Sequence, residues 1–150
     1  MTDHHRHSNG EPHALAQRVA ASMFDSDTAS RALGMTIERV GPGRATLTMS
    51  VRADMVNGHA ICHGGFIFTL ADSAFAFACN SYNFSTVAQG CSIEYLAPAH
   101  EGDRLTADAQ ERSLSGRTGV YDIEVTNQRG ETIALFRGKS YRIKGHVVED

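Results

Sequence analysis

The sequence predicts an α+β domain in which an antiparallel sheet of about five strands wraps around one long central helix. The helix is predicted by the fourteen residues from Phe66 to Cys79, which are apolar on every side of a helical period and include a single charged residue, Asp72. The sheet is predicted by strand-like runs joined by short turns, which flank the helix in sequence. Because a helix that is apolar all round must be covered by protein, a sheet curled around it is the simplest arrangement.

Two helices and a hairpin are predicted ahead of the central helix. Residues 1–11 are polar and rich in histidine and are expected to form a disordered tail, whereas residues 12–150 are expected to form one domain. A helix is predicted from Pro12, and Asp25 is expected to cap a second, short helix that ends at Gly34. The runs MTIERV and RATLTMSV flank a GPG turn, and this pattern predicts a hairpin.

The chain after the central helix is strand-like throughout. Strands are predicted at residues 86–96, 103–112, 118–127 and 131–143. The last two runs are joined by QRG, which indicates a second hairpin. Gly138 interrupts the last run and is expected to mark a bulge or a bend.

The composition excludes several classes of protein. A net charge of −3 gives no basis for general attraction to nucleic acid or membrane, and the central apolar stretch is too short to span a bilayer. The 3 cysteines form no CxxC pair, which argues against a disulfide scaffold. The stretch MTDHHRHSNGEPH has no apolar run and is not expected to be a signal peptide. We therefore expect a cytoplasmic protein that binds neither nucleic acid nor membrane.

The central helix carries two features of an active site. Gly64 and Gly65 stand at its start, where a helix leaves backbone N–H groups unpaired and its dipole favours negative charge. Asp72 lies in its apolar middle, where an isolated charge is costly to keep without a reason. Desolvation there is expected to raise the pKa of Asp72, although pairing or hydrogen bonding would offset the shift.

Six stretches of the chain resemble one family. They are VNGH (56–59), CHGG (62–65), LADSAFAFACN (70–80), EYLAPAHEGDRLTA (94–107), TGVYDIEVTNQ (118–128) and ALFRGKSYRI (134–143). Together these stretches resemble the hotdog-fold acyl-CoA thioesterases of the PaaI type, over roughly Ala29 to Ile143. The resemblance implies hydrolysis of acyl-CoA thioesters, notably hydroxylated phenylacetyl-CoA in phenylacetate catabolism. It further implies a homotetramer built as a dimer of dimers, and no cofactor.

Thioester hydrolysis needs a hydrogen-bond donor for the carbonyl oxygen and a base or nucleophile for the acyl carbon. We expect the Gly64 amide to be the donor, in agreement with the family pattern, and Asp72 to be either the general base or the nucleophile. The matching family position suggests that Asn57 orients the attacking water or the thioester, although Asn57 beside Gly58 also suits an ordinary turn.

Three further residues are expected near the substrate. His63 either polarises the site or bonds loop carbonyls. Gly65, beside the donor, is expected to contact the substrate because glycine lets a ligand approach the backbone closely. Ser73 follows Asp72 and either helps to hold water or is a plain helical serine.

The spacing of Gly64 and Asp72 predicts shared active sites. They are eight residues apart, which is about 12 Å along a helix. One carbonyl group cannot reach both, because reacting atoms must approach within about 3–3.5 Å. If both residues are catalytic, they come from different subunits, whose central helices run antiparallel across a two-fold axis.

Two other chemistries are weaker interpretations of the same region. His59, Cys62 and His63 are metal-ligand types, but Cys62 and His63 are adjacent and no fourth ligand is evident, so no metal is expected. Cys62 beside His63 also suggests a thiol nucleophile. Side chains adjacent in sequence rarely face each other properly, which argues against this pair.

The last strand is basic, and this pattern has two interpretations. Arg137 and Lys139, with Arg142 and Lys144, either hold the phosphates of CoA or form a solvated face. Two alternative functions also remain: a hotdog enoyl-CoA hydratase or dehydratase, and a non-catalytic acyl-CoA-binding protein. The first typically has an HFP-like helix entry, which is absent here, and binding alone would not need the buried acid Asp72.

Overall fold

The computed structural model describes residues 10–149 and confirms the α+β class, with one sheet and one long central helix. The α-helices are α1 (Gly10–Ser26), α2 (Thr28–Ala32) and α3 (Gly64–Cys79). The strands are β1 (Thr36–Gly41), β2 (Arg44–Ser50), β3 (Phe84–Tyr95), β4 (Arg104–Ser115), β5 (Thr118–Thr126) and β6 (Thr132–His146). The sheet thus has six strands against the predicted five or so, because every strand-like run of the described chain joins it.

The sheet is antiparallel throughout, with the order β1-β2-β4-β5-β6-β3, and α3 packs across its middle strands. Both predicted hairpins, β1–β2 and β5–β6, are present. The core between helix and sheet includes Phe75, Phe77 and Tyr121, all at most 1% exposed. Burying one such side chain contributes roughly 1.5–3 kcal/mol, which explains why the apolar stretch becomes the centre of the fold.

One stripe of α3 is not covered by the chain itself. Gly65, Thr69, Asp72 and Ala76 follow each other at helical spacing and are exposed or half-buried, whereas the opposite side of the helix is buried. The expectation of a helix wrapped on all sides is therefore met only in part. The uncovered stripe consists mostly of small residues.

β3 lies at an edge of the sheet and bonds only β6 among the described strands. It is 12 residues long, and Phe84, Val87 and Tyr95 on it are exposed to 37%, 45% and 50%. A long edge strand with exposed apolar residues is a natural place for pairing with another chain.

Two predictions about the first helices are corrected. The cap of α2 is Asp27, whose carboxylate accepts a hydrogen bond from the Ser30 amide, and not Asp25, which is still inside α1. Gly34 follows the helix with φ +73, as predicted for its end. Most of the predicted tail, residues 1–9, lies outside the described residues, but residues 10 and 11 belong to α1 and not to a tail.

Gly138 is not at a bulge. It pairs in register with both Cys91 and Tyr121, and the nearby irregularity lies in β3, between Ala88 and Gly90. A Cβ at position 138 would stand 2.7 Å from the ring of Phe75, so the glycine lets the helix pack closely against the sheet. None of the described helices is long and apolar enough to cross a membrane.

Candidate active site

His63 is the N-cap of α3 and fixes the start of the helix. Its backbone is extended (φ −60, ψ 130), and its Nδ1 accepts a hydrogen bond of 2.9 Å from the Gly65 amide. A Cβ at Gly65 would lie 3.0 Å from that nitrogen, so the cap favours glycine there. One role expected for His63 is to bond loop carbonyls. Its Nδ1 does not do so, because this atom accepts a hydrogen bond from an amide. The Gly65 amide is thereby occupied.

The Gly64 amide stays free at the same helix end. It forms no hydrogen bond with any group in residues 10–149. Gly64 lies on the wall of a cavity of about 530 Å³, whose other walls are mostly apolar. These walls come from Asn57, Ile61, Cys62, Ile67, Tyr95, Leu96, Ala97, Pro98 and Ala99. An unpaired N–H at a helix N-terminus, on a residue that lines an apolar cavity, can stabilise negative charge developing on a bound carbonyl oxygen.

Asn57 lines the same cavity and holds the loop before α3. Its Oδ1 accepts hydrogen bonds from the amides of His59, at 2.9 Å, and Ile61, at 3.4 Å. Since these partners are N–H groups, the acceptor must be the side-chain oxygen, which leaves the NH₂ group as the free end. Asn57 therefore forms a turn, as in the simpler interpretation, and still has two donors to offer a substrate.

Tyr95 was missed by reasoning from the sequence, although it touches Gly64. Its hydroxyl donates a 2.9 Å hydrogen bond to the Gly64 carbonyl oxygen. The three atoms nearest to a Cβ built on Gly64 all belong to the Tyr95 side chain, at 3.0–3.2 Å. The only signal in the sequence was the position of Tyr95 at the end of a strand, which does not identify a partner on α3.

Asp72 lies half-buried on the uncovered stripe of α3. Burial raises the pKa of its carboxyl group above the ordinary value of 3.8. The offsetting pair or hydrogen bond that the sequence left open is not found among the residues that the structure describes. Its charge in turn contributes to raised pKa values of two thiols, Cys79 and Cys91. Such a desolvated carboxylate without a partner is a candidate functional group.

Gly64 and Asp72 do not meet within one chain. Both belong to the continuous helix α3, so the separation of about 12 Å expected from the spacing holds. Asp72 is also absent from the walls of the cavity that Gly64 lines. The Gly64 amide and the Asp72 carboxylate of one chain therefore lie in two separate places.

Comparison with known proteins identifies the family. The thioesterase superfamily matches residues 59–134, which include the whole of α3. The acyl-coenzyme A thioesterase PaaI of Escherichia coli is 52% identical over 132 residues, which cover 88% of this chain and 94% of that protein. The chain belongs to the PaaI-type thioesterases of this superfamily.

Solved structures agree with this assignment to the PaaI-type thioesterases. The structure of E. coli PaaI from the phenylacetic acid degradation operon superposes with a TM-score of 0.88 at 50% identity, covering 89% of this chain and 97% of that one. The smu.793 protein of Streptococcus mutans, solved with bound acetyl CoA, superposes with a TM-score of 0.72 at 28% identity, covering 75% and 90%. The hotdog fold predicted from the resemblance is therefore confirmed.

Ser73 has a structural partner in this PaaI-type chain. Its hydroxyl lies 2.8 Å from that of Ser30, which donates a 2.6 Å hydrogen bond to the Asp27 carboxylate. Because Ser30 has one proton and gives it to Asp27, Ser73 donates to Ser30. The contact ties α2 to α3 beside Asp72, and a role of Ser73 toward substrate stays a prediction.

Arg137 and Lys139 lie on the face of the sheet that points away from α3. On β6 their neighbours Phe136, Gly138 and Ser140 are buried, whereas Arg137 and Lys139 are exposed. Arg137 makes two hydrogen bonds, of 2.7 and 2.9 Å, to the Asp122 carboxylate. In one chain these cations do not meet the residues of α3, so CoA binding by them stays a prediction.

The metal and thiol chemistries find no support in the geometry. Within residues 10–149, no three His, Cys, Asp or Glu side chains form a group that could hold a metal ion. Cys62 is buried, and burial and the nearby Asp103 raise the pKa of its thiol, which disfavours the thiolate. The Nδ1 atom of His63 is already engaged by the Gly65 amide.

Proposed function

We propose that the protein hydrolyses acyl-CoA thioesters to the free acid and CoA, with aryl-acetyl groups of the (hydroxy)phenylacetyl type as the preferred acyl part. The observation that carries this proposal is the free amide of Gly64, a residue that lines an apolar cavity at the start of α3. The similarity to E. coli PaaI supports the acyl-CoA substrate, and the operon from which that protein comes supports a role in phenylacetate degradation.

In the proposed reaction, the thioester carbonyl oxygen accepts hydrogen bonds from the Gly64 amide and the Asn57 NH₂ group. Water adds to the acyl carbon, the C–S bond breaks, and the sulfur leaves as the CoA thiol. Asp72 acts either as the base that takes a proton from water or as the nucleophile that the water later displaces. Both roles need its ionised form, and a raised pKa makes that carboxylate a stronger base.

The proposed enzyme is a dimer of dimers whose active sites each combine two chains. Two neighbouring surfaces support this assembly: the uncovered stripe of α3 and the exposed edge of β3. A two-fold axis between antiparallel α3 helices brings the Gly64 end of one chain to the Asp72 of its partner. In this assembly Gly65 and Ser73 flank the substrate, and Arg137 and Lys139 reach CoA phosphates only across a subunit boundary.

The proposed location is the cytoplasm. The CoA thioesters that the protein is proposed to hydrolyse are intracellular metabolites. The three thiols, at Cys62, Cys79 and Cys91, are all unpaired, which is usual for proteins kept in a reducing compartment.

Thiol release from a panel of thioesters tests the proposal, with hydration and binding measured on the same panel. Thiol release is measured with phenylacetyl-CoA, 4-hydroxyphenylacetyl-CoA, acetyl-CoA, palmitoyl-CoA and an enoyl-CoA. Phenylacetyl-type thioesters should give the highest kcat/KM, and palmitoyl-CoA as best substrate would refute the aryl preference. Hydration of the enoyl-CoA without thiol release from any thioester would indicate a hydratase. Tight binding of acyl-CoA without turnover would indicate a binding protein.

A further inference from the structure

We infer that Tyr95 is a positioning residue that holds the Gly64 amide at the wall of the apolar cavity of about 530 Å³. This inference rests on the proposed function. Tyr95 ends β3 and lines the cavity beside Gly64, with half of its surface exposed. Its hydroxyl donates to the Gly64 carbonyl oxygen at 2.9 Å. It thus contacts the residue that supplies the proposed donor.

The Tyr95 ring fills the place where a side chain of residue 64 would stand. A Cβ there would lie 3.0 Å from Cζ, 3.1 Å from the hydroxyl oxygen and 3.2 Å from Cε1 of that ring. These contacts are tighter than ordinary van der Waals packing. A side chain at position 64 would need the half-exposed Tyr95 ring to shift by a few tenths of an ångström, so this contact favours glycine there.

The consequence for catalysis follows from the freedom of glycine. Two successive glycines at a helix start have more accessible φ and ψ values than any other pair of residues. Both restraints act on the peptide unit that joins the two glycines, because His63 holds its N–H, from Gly65, while Tyr95 holds its carbonyl, from Gly64. The Gly64 amide lies next to both restraints. Since a shift of about 1 Å can cost about 100-fold in rate, these restraints matter for an oxyanion donor.

The ring contributes more to this restraint than the hydroxyl does. The carbonyl of a first helical residue also accepts the helical hydrogen bond from the amide four positions later, so the tyrosine bond is an additional one. The ring contact has no such substitute. Tyr95→Phe should therefore lower kcat only about threefold, the effect of one ordinary hydrogen bond. Tyr95→Ala should lower kcat about 10-fold or more, with KM changed much less.

A double-mutant cycle tests the inference with Gly64→Ala, Tyr95→Ala and the combined variant. Gly64→Ala should lower kcat about 10–100-fold, because its methyl group and the Tyr95 ring must move apart, which disturbs the restraint that the ring places on residue 64. In the Tyr95→Ala background the three atoms nearest to that methyl group are gone, so it should lower kcat by less than about threefold further. The same cycle is measured in urea unfolding, without any substrate.

The outcomes separate the two proposals. Coupling between positions 64 and 95 in both stability and kcat supports the inference. Additive losses in stability would mean that the contact between residues 64 and 95 does not exist. Coupling in stability with additive losses in kcat would mean that the contact is purely structural. Either result overturns the inference. A wild-type protein that hydrolyses none of the thioesters would refute the proposed function, and the urea cycle would still report on the contact.

Discussion

The Gly64 amide and the Asp72 carboxylate lie on one helix, about 12 Å apart along its axis, and neither has a hydrogen-bond partner within residues 10–149. The amide belongs to a residue that lines an apolar cavity, and the carboxylate lies on the uncovered stripe of α3. Gly64 and Asp72 are both half-buried, so a substrate or a second chain that covered either group would have to supply its hydrogen-bond partner. This relationship underlies most of the predictions below.

Replacing Asp72 by Asn should abolish most of the activity. Both roles proposed for Asp72 need an ionised carboxylate, and the amide of Asn supplies neither a base nor a nucleophile. Turnover of the best thioester should fall at least ~100-fold. Steady-state thiol release measures the loss, with circular dichroism to show that the variant is folded. Turnover close to that of the wild type would remove Asp72 from the mechanism.

The same substitution should stabilise the fold at neutral pH. Because burial raises the pKa of Asp72, the folded protein binds this proton more tightly than the unfolded chain does. Ionisation at pH 7 therefore costs stability, and the cost disappears below pH 3.8, the unperturbed value, where both states are protonated. We therefore expect Asp72→Asn to melt at a higher temperature than the wild type at pH 7.

Thermal unfolding of the wild type and of Asp72→Asn, measured from pH 7 to pH 4 at one protein concentration, follows the difference between their melting temperatures. The gap between variant and wild type should narrow as the pH falls through the raised pKa of Asp72. A variant that is less stable at pH 7, or a gap that widens on acidification, would mean that a partner of the carboxylate stabilises its charge.

The features predicted from the sequence are those that a local pattern determines. The long helix follows from an apolar stretch with one charge, and the candidate groups Gly64 and Asp72 follow from the same stretch. Hairpin positions follow from GPG and QRG. The apolar stretch is compatible with few other folds, because burial of apolar surface is the largest favourable contribution to folding.

The features that were missed depend on contacts between distant segments. Tyr95 reaches Gly64 only because the sheet brings the end of β3 beside the start of α3. Gly138 suggests a bulge or a bend in the sequence because the ring that needs its space, Phe75, lies on another element; the bulge is not found. The sequence predicts the cap of α2 two residues early because Asp25 and Asp27 are equally good N-cap residues, and only the structure shows that α1 continues past Asp25 to Ser26.

Gly138→Ala should destabilise the fold. The added methyl group would meet the Phe75 ring at 2.7–2.8 Å, and Phe75 is 1% exposed and cannot move away freely. Overpacking of this kind costs about 1–3 kcal/mol of unfolding free energy. Urea unfolding measures it, with Gly90→Ala as the matched strand variant, since no atom lies within 4 Å of a Cβ there. Equal stability of the two variants would contradict the packing argument.

A charge on the uncovered stripe of α3 should separate the subunits. Ala76 lies one turn beyond Asp72 on this stripe, and Ala76→Arg would place a long cation in the proposed helix–helix contact. We expect the wild type to sediment as a dimer or tetramer and Ala76→Arg to sediment as an inactive monomer. Ala21→Arg, on the exposed face of α1, should change neither property. A wild-type monomer with full activity at assay concentration would rule out shared sites.

Two inactive variants should restore activity when they are combined in one dimer. The first, Asp72→Ala, lacks the carboxylate, and the second, Asn57→Asp, keeps the loop-holding oxygen of residue 57 but lacks its NH₂ donors. Each homodimer then has two broken sites, because every site takes one end from each chain. In a mixed dimer one site receives both lesions and the other receives neither. Mixed dimers should therefore show about half of the wild-type activity.

This complementation distinguishes a shared site from a site within one chain. The two variants are co-expressed, each with a different affinity tag. The mixed dimer is purified through both tags in turn, and its subunit ratio is measured by mass spectrometry. Gly64→Pro is a second partner variant, because proline is tolerated at a first helical position and removes the amide hydrogen. The proximity of Tyr95 to residue 64 makes circular dichroism of that variant a necessary control. Verified, folded mixed dimers without recovered activity would mean that one chain holds a whole site, or that one of the substituted residues has another role.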